Sequence, residues 1–341
     1  MKKLALFAAM ITALTFVANL QAAVRYHVVR TIPLTDEGGW DYLTADSATD
    51  RLFVSRGDHV TVVNLKDGKA AGEIPKTEGV HGIAIARGLK RGFVSCGRTS
   101  TVTIFDLDSL KVIGEAKTDD RPDAIMFEPV TARVFTFNAG GKNSSAIDAG
   151  TGKVVGSVPL GGKPEFAVAD GAGRVYVNIE DTSEIAGFDA KTLQVVKRWK
   201  LEGCEEPSGL AIDRKNHRLF SGCRNKVVAV SDLDAGRVVT MVPIGPGVDA
   251  NAFDPAEKLV FSSNGGDGSL TVIREVSPDK YEVVENATTE RGARTMALDE
   301  KTHHVFVVTA KFGPPPAATA ERPHPWPTIL PGSFHVLELA P

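Results

Sequence analysis

An aromatic residue recurs seven times along this chain, each time inside a short run of β-forming residues. The copies read Arg51-Leu-Phe-Val, Arg91-Gly-Phe-Val, Arg133-Val-Phe-Thr, Arg174-Val-Tyr-Val, Arg218-Leu-Phe-Ser, Lys258-Leu-Val-Phe and His304-Val-Phe-Val. The aromatics are Phe53, Phe93, Phe135, Tyr176, Phe220, Phe261 and Phe306, spaced by 40, 42, 41, 44, 41 and 45 residues. A fixed period near 40 marks a repeat architecture. The fifth copy shows the unit most clearly. Ser208–Ile212, Arg218–Cys223, Val227–Ser231 and Arg237–Ile244 are rich in Val, Ile and Phe, while Gly, Asp and Asn fill the turns between them. Each copy therefore reads as four short strands.

A four-stranded unit cannot bury both faces of its own sheet. Radial stacking around an axis solves this and leaves only short edges. The expected fold is all-β, a seven-bladed β-propeller of four-stranded blades. Frequent glycine, 33 in 341 residues, agrees with many turns. WD repeats share the period, but their Gly-His and Trp-Asp signatures are absent at the required places. The last copy offers only three strands, within Arg294–Asp299, His304–Thr309 and Ser333–Leu339. Tyr26–Leu34 is a strand without a copy of its own. It is expected to complete the last blade and close the ring, which hides an edge.

Several motifs carry a more specific resemblance. Phe135–Asn138 (FTFN), Tyr176–Asn178 (YVN) and Phe261–Asn264 (FSSN) resemble a Tyr-Val-Thr-Asn second strand. Asp148-Ala-Gly-Thr-Gly-Lys and Asp189-Ala-Lys-Thr resemble an Asp-x-x-Thr-Gly-Lys turn, and Gly161-Gly-Lys-Pro-Glu165 resembles a Gly-x-x-Pro blade entry. Over essentially all its length after the first 23 residues the chain resembles the YVTN-repeat (YncE-like) family of secreted propellers. That resemblance implies the fold and says little about activity, because propellers host many functions.

The first residues, MKKLALFAAMITALTFVANLQAA, combine a basic start at Lys2 and Lys3, an uncharged run over Leu4–Leu20 and small residues Ala22 and Ala23. They read as a bacterial secretory signal peptide over 1–23, leaving a single propeller domain over 24–341 in the periplasm or outside the cell, with no membrane span after cleavage. Removing Lys2 and Lys3 from the 39 basic residues leaves 37 against 42 acidic ones, a net charge of −5. A mildly acidic chain without a basic run argues against a nucleic-acid partner. A monomer is expected.

In a propeller the innermost strand of each blade starts at the mouth of the central channel. The residues at that register are Asp41, His81, Asp123, Glu165, Ser208, Asp249 and Arg294, with Trp40 before the first. Four carboxylates, a histidine and an arginine are thus expected to line the mouth with Ser208. Such positions are wet and polar in any propeller, yet crowded carboxylates also mark candidate sites. No HExxH, EF-hand, P-loop or GxSxG motif is present, so no cofactor is expected. Gly265-Gly-Asp-Gly-Ser269 reads as a plain hairpin turn. Two readings of function follow. One is a non-catalytic module that binds a partner protein or small ligand at the mouth. The other is a lactonase-like hydrolase that uses the mouth carboxylates, with or without a divalent cation.

Two further features depart from the repeat. Lys311–Gly332 is an insertion with seven prolines in the last copy, which keep it extended and unpaired. His324 and Trp326 are its large polar-aromatic groups, and the loop is a candidate lid over the mouth. Three cysteines remain, Cys96, Cys204 and Cys223. The loop entering the fifth copy holds Cys204, and that copy's second strand ends on Cys223. The register brings both to the mouth face, so a disulfide between them is expected, with Cys96 as a free thiol.

Overall fold

The computed structural model describes residues 25–34, 38–319 and 327–341. They form seven four-stranded antiparallel sheets, with almost no helix. The inner strands of blades one to six are Leu43–Asp46, Val80–Ala86, Pro122–Glu128, Pro164–Ala169, Pro207–Asp213 and Val248–Asp254. In each of these blades the next three segments pair outward in sequence order. The seven recurring aromatics all lie on second strands and are essentially fully buried. The fifth copy reads as expected, with strands Pro207–Asp213, Arg218–Cys223, Val227–Asp232 and Arg237–Pro243.

Apolar clusters fill the seams between adjacent blades. Between blades five and six, for example, Phe220, Val228 and Val230 pack with Phe253, Val260 and Ile273. The hairpin from inner to second strand closes the same way in every blade. The residue before the second strand is left-handed: Asp50, Lys90, Ala132, Gly173, His217, Lys258 and His303. In five blades a carboxylate at the end of the inner strand accepts hydrogen bonds from the turn that follows. They are Asp46, Glu128, Asp213, Asp254 and Asp299. This side-chain cap replaces backbone partners that a tight turn cannot supply.

Blade seven is built from both ends of the described chain. Its order from the outside is His27–Pro33, His335–Ala340, His304–Thr309 and Met296–Asp299. Thr31, Ile32 and Pro33 pair with Leu337, Val336 and His335. The N-terminal strand therefore closes the ring. Its Ile32 is buried, and the Tyr26 hydroxyl donates to the His303 carbonyl at 3.0 Å. The inner strand of this blade is shorter than the sequence predicts. It begins at Met296, and the Thr295 hydroxyl just before it donates to the Asp41 carbonyl, 2.6 Å away.

Cys204 and Cys223 form a disulfide, with Cα atoms 5.4 Å apart, and Cys96 is a buried free thiol. The segment read as a signal peptide lies outside the described residues. Among the described residues no helix is long and apolar enough to cross a membrane.

Candidate functional site at the channel mouth

The mouth residues share one local cause. His81, Asp123, Glu165, Ser208 and Asp249 are each the second residue of an inner strand. In every one of these strands the pairing register slips just there, between Val80 and Ile83, Pro122 and Ile125, Pro164 and Ala167, Pro207 and Leu210, and Val248 and Ala250. A bulge frees a residue from the ladder and re-aims its side chain. Asp41 and Arg294 lie two residues before their shortened inner strands.

Small polar residues of the second strands hold these backbones. The Ser55 hydroxyl accepts from the Asp41 amide at 2.9 Å. Ser95 donates to the Asp123 carbonyl at 2.5 Å, and Asn178 Nδ2 to the Ser208 carbonyl at 2.9 Å. Ser263 donates to the Arg294 carbonyl. Ser95, Asn178 and Ser263 each reach the next blade, so the polar ends of the second strands fix mouth geometry across the seams.

The side chains divide into three groups. In the first, His81 Nδ1 lies 2.6 Å from Asp41 Oδ2 and 3.6 Å from Asp123 Oδ1. In the second, Asp249 accepts from Ser208 Oγ at 2.7 Å and from Arg294 at 2.9 Å. Arg294 also reaches to 4.0 Å from Asp41, which links the two groups. The third is built on Glu165. It pairs with Lys163 Nζ at 2.7 Å, and Lys163 also binds Glu180.

The electrostatics of the mouth follow from burial and from crowding of like charges. Burial, together with Asp41 and Asp249, pushes the Asp123 carboxyl up to about 6 against the pull of His81. Burial and then Asp123 push Glu165 up to about 8, although Lys163 opposes this. Burial also raises Asp249, offset in part by Arg294. For His81 burial opposes the charge, but the hydrogen bond its ring donates to Asp41 and the neighbouring carboxylates outweigh it, so its pKa is raised. Tyr42 is raised well above the phenol range by burial and by Asp123, Asp41, Glu165 and Asp249. Its ring packs against Phe166, with centroids 4.6 Å apart, beside a channel cavity of about 130 Å³.

Three donor atoms, one each from Asp41, His81 and Asp123, lie within 4.8 Å of one another. Two carboxylates and an imidazole suit a borderline divalent cation. These three could hold one, and a bound ion would supply Lewis acidity to a carbonyl at the mouth.

A larger cavity, about 950 Å³, opens beside the mouth. Asp249, Arg291, Arg294 and Trp40 line it. The proline-rich insertion forms a further wall through Phe312, Pro315, Pro327 and Ile329. A backbone bridge between Phe312 and Ile329 holds the two arms of that loop together. Trp40 packs against Phe312 and Phe334, at 6.0 and 5.4 Å between ring centroids. His324 and Trp326, the lid candidates, lie outside the described residues.

Sequence reasoning missed four participants. Tyr42 and Phe166 directly follow the mouth residues Asp41 and Glu165, a signal visible in the sequence. Lys163 lies inside the Gly161-Gly-Lys-Pro-Glu165 entry and Arg291 in the loop before blade seven, where no register singles them out.

No protein-family model matches this chain, and no curated protein does. Solved structures do. The WD40 repeats of RRP9 superpose with a TM-score of 0.77 at 11% identity, over 93% of this chain and 99% of that one. The structure of U3-55K gives 0.75 at 11% identity, over 91% and 98%. A chain of the mitotic checkpoint complex gives 0.74 at 13% identity, over 100% and 99%. This chain is a seven-bladed propeller of WD40-like architecture. At such identities the likeness shows the fold alone.

Proposed function

We propose that this protein is a non-catalytic binding module that takes a small ligand or a segment of a partner protein at the channel mouth. The observation that carries this reading is the cavity of about 950 Å³ between Trp40, the Asp249–Arg294 pair and the proline-rich loop. Its size suits a small molecule, and it combines an apolar lining with a few convergent polar groups. The rigid ring behind it keeps the site preorganised. The N-terminal sequence supports export to the periplasm, where the protein acts as a monomer and without nucleic acid. The FTFN, YVN and FSSN strands support a place among the YVTN-repeat propellers.

The test is capture from periplasmic extract, with bound proteins and extracted small molecules both identified by mass spectrometry. The bait is the wild type against the Asp249→Ala/Arg294→Ala double variant, which removes both partners of the ion pair together. Species retained by the wild type and lost by the folded variant support the reading. An identical catch on both baits would sink it.

A second reading rests on the Asp41–His81–Asp123 cluster and on the carboxyl of Glu165, which near neutral pH still holds a proton it could donate. This is a lactonase-like hydrolase, with those residues as cation ligands and Glu165 as general acid. Lactone and ester turnover measured with Ca²⁺, Mg²⁺ and Zn²⁺ tests it. Turnover that Asp123→Asn abolishes favours it, and inertness with all three ions removes it.

A further inference from the structure

We infer that the cavity beside the mouth selects a small organic anion with a flat apolar body, the acid group lying on Arg291 and Arg294 and the body against Trp40 and Phe312. This rests on the reading of the mouth as a binding site and names the chemistry of its ligand.

The charge argument comes first. Among the described residues, the ionisable groups that line the cavity are Asp249, Arg291 and Arg294. The Asp249 carboxylate is already engaged by Ser208 and by Arg294. Arg294 stays two-fifths exposed beside that pair, so part of its guanidinium still faces the open space. Arg291 is exposed, and its guanidinium has no hydrogen bond or ion pair among the described residues. Its backbone is nevertheless fixed, because Thr309 Oγ1 donates to its carbonyl at 2.7 Å and the next amide, of Gly292, donates to the Gly265 carbonyl at 2.7 Å. Asp41 also stands 4.0 Å from Arg294, so the charge of Arg294 is largely answered and the unpaired guanidinium of Arg291 supplies the positive charge of the cavity wall. Asp123, Glu165 and Glu180 belong to blades three and four and do not line this cavity. Paired donors on arginine match the oxygens of an acid group.

The shape argument is independent. Trp40 and Phe312 are tilted 45° to one another and offer ring surface to a flat group. Glycines let these walls close in. A Cβ at Gly292, where φ is +87°, would lie 2.7 Å from the Phe312 ring. A Cβ at Gly265 would lie 2.7 Å from Arg294 Cβ. Gly265 and Gly266 of the Gly265-Gly-Asp-Gly-Ser269 turn are thus also cavity wall, and the missing side chain of Gly265 makes room for Arg294.

The experiment uses three probes that share a naphthalene body and carry an anionic, neutral or cationic polar group: 2-naphthoate, 2-naphthalenemethanol and 2-naphthylmethylamine. Saturation-transfer NMR and calorimetry on the wild-type protein should rank the naphthoate first, at least tenfold tighter than the amine. Arg291→Gln, an exposed substitution that leaves the fold alone, should weaken naphthoate at least fivefold and leave the alcohol unchanged. Equal affinities for the three probes, or preference for the amine, would overturn the anion assignment while leaving a binding mouth. Absence of binding by all three overturns the anion assignment as well, and the capture experiment then decides separately whether the mouth binds anything.

Discussion

The imidazole of His81 joins two blades, its Nδ1 lying 2.6 Å from Asp41 Oδ2. Burial works against its charge, but this hydrogen bond and the carboxylates of Asp123 and Asp41 prevail and raise its pKa above 6.5. A raised histidine pKa contributes stability that is complete below the unfolded value and is lost as pH climbs through the folded one. The ring proton of His81 followed by NMR should therefore titrate above pH 6.5, and Asp41→Asn should bring the midpoint down. A midpoint that does not move in that variant would show that the contact does not govern the charge.

Glu165 should dominate the alkaline side of the same region. Its carboxyl is raised to about 8 from 4.5, by burial first and then by Asp123. For a raised carboxyl the cost of ionisation is absent below the unfolded value and grows as pH rises to the folded one. Glu165→Gln removes that cost and keeps an acceptor for Lys163. The variant should gain on the wild type by a few degrees in Tm between pH 5 and pH 9. A difference that stays constant over this range would contradict the assignment.

Closure of the ring gives a third expectation. His27–Pro33 supplies the outer strand of blade seven, and Ile32 and Tyr26 are buried. Tyr26 meets Phe261 of blade six edge-on, at 5.0 Å. Arg30 binds Glu338 at 2.5 Å. A chain beginning at Gly38 loses all of this and bares the strand His335–Ala340. Its Tm should fall by 10 °C or more. The single change Ile32→Ala should cost about 2–5 kcal/mol. Denaturant melts of both variants check it, and an unaltered midpoint in the truncated chain would refute closure as a source of stability.

The fold was legible because its physics repeats. One buried aromatic per second strand is needed to fill each seam, so Phe53 to Phe306 announce seven blades. The same regularity placed Cys204 and Cys223 face to face. It also picked out Asp41, His81, Asp123, Glu165, Ser208, Asp249 and Arg294, since a register is a property of one chain segment. Which of these would touch was not legible. Lys163 takes Glu165, and His81 takes Asp41, because of distances set by the whole ring. The cavity was hidden for a similar reason. Arg291, Phe312 and Gly265 come from three segments that meet only after closure. The carboxylates that end the inner strands were visible, but nothing local shows that Asp213 would meet Glu275.

The disulfide is expected to act locally. The bridge from Cys204 to Cys223 closes the entry loop of blade five onto its second strand. A closed loop of this length is worth about 3 kcal/mol through the unfolded chain. Cys204→Ser/Cys223→Ser should lower Tm by roughly 5 °C. Thiol counting in denaturant should find Cys96 alone before reduction and all three cysteines after it. More than one thiol before reduction would exclude the bridge.

Asp213 and Glu275 set the last expectation. Asp213 ends the inner strand of blade five, and Glu275 lies on the third strand of blade six. Both are almost fully buried. Asn216 Nδ2 donates to Asp213 Oδ2 at 2.7 Å and to Glu275 Oε1 at 3.1 Å, so one amide gathers two carboxyl groups. The Tyr281 hydroxyl stands 3.4 Å from Glu275, while the nearby Arg218 is committed to Asp232 and Asp279. Among the described residues no cation therefore neutralises the pair. Burial first, and Asp213 next, raise the Glu275 carboxyl above its ordinary value. A proton held between the two groups removes the repulsion, and its loss as pH rises from 4.5 upward brings the cost back. Glu275→Gln keeps the acceptor for Asn216 and can offer an N–H to Asp213. It should melt several degrees above the wild type at pH 8 and together with it at pH 4. Glu275→Ala should melt below the wild type at both, since it leaves a cavity and strands the amide of Asn216. If Glu275→Gln shows the same offset at both pH values, the two carboxyls do not share a proton.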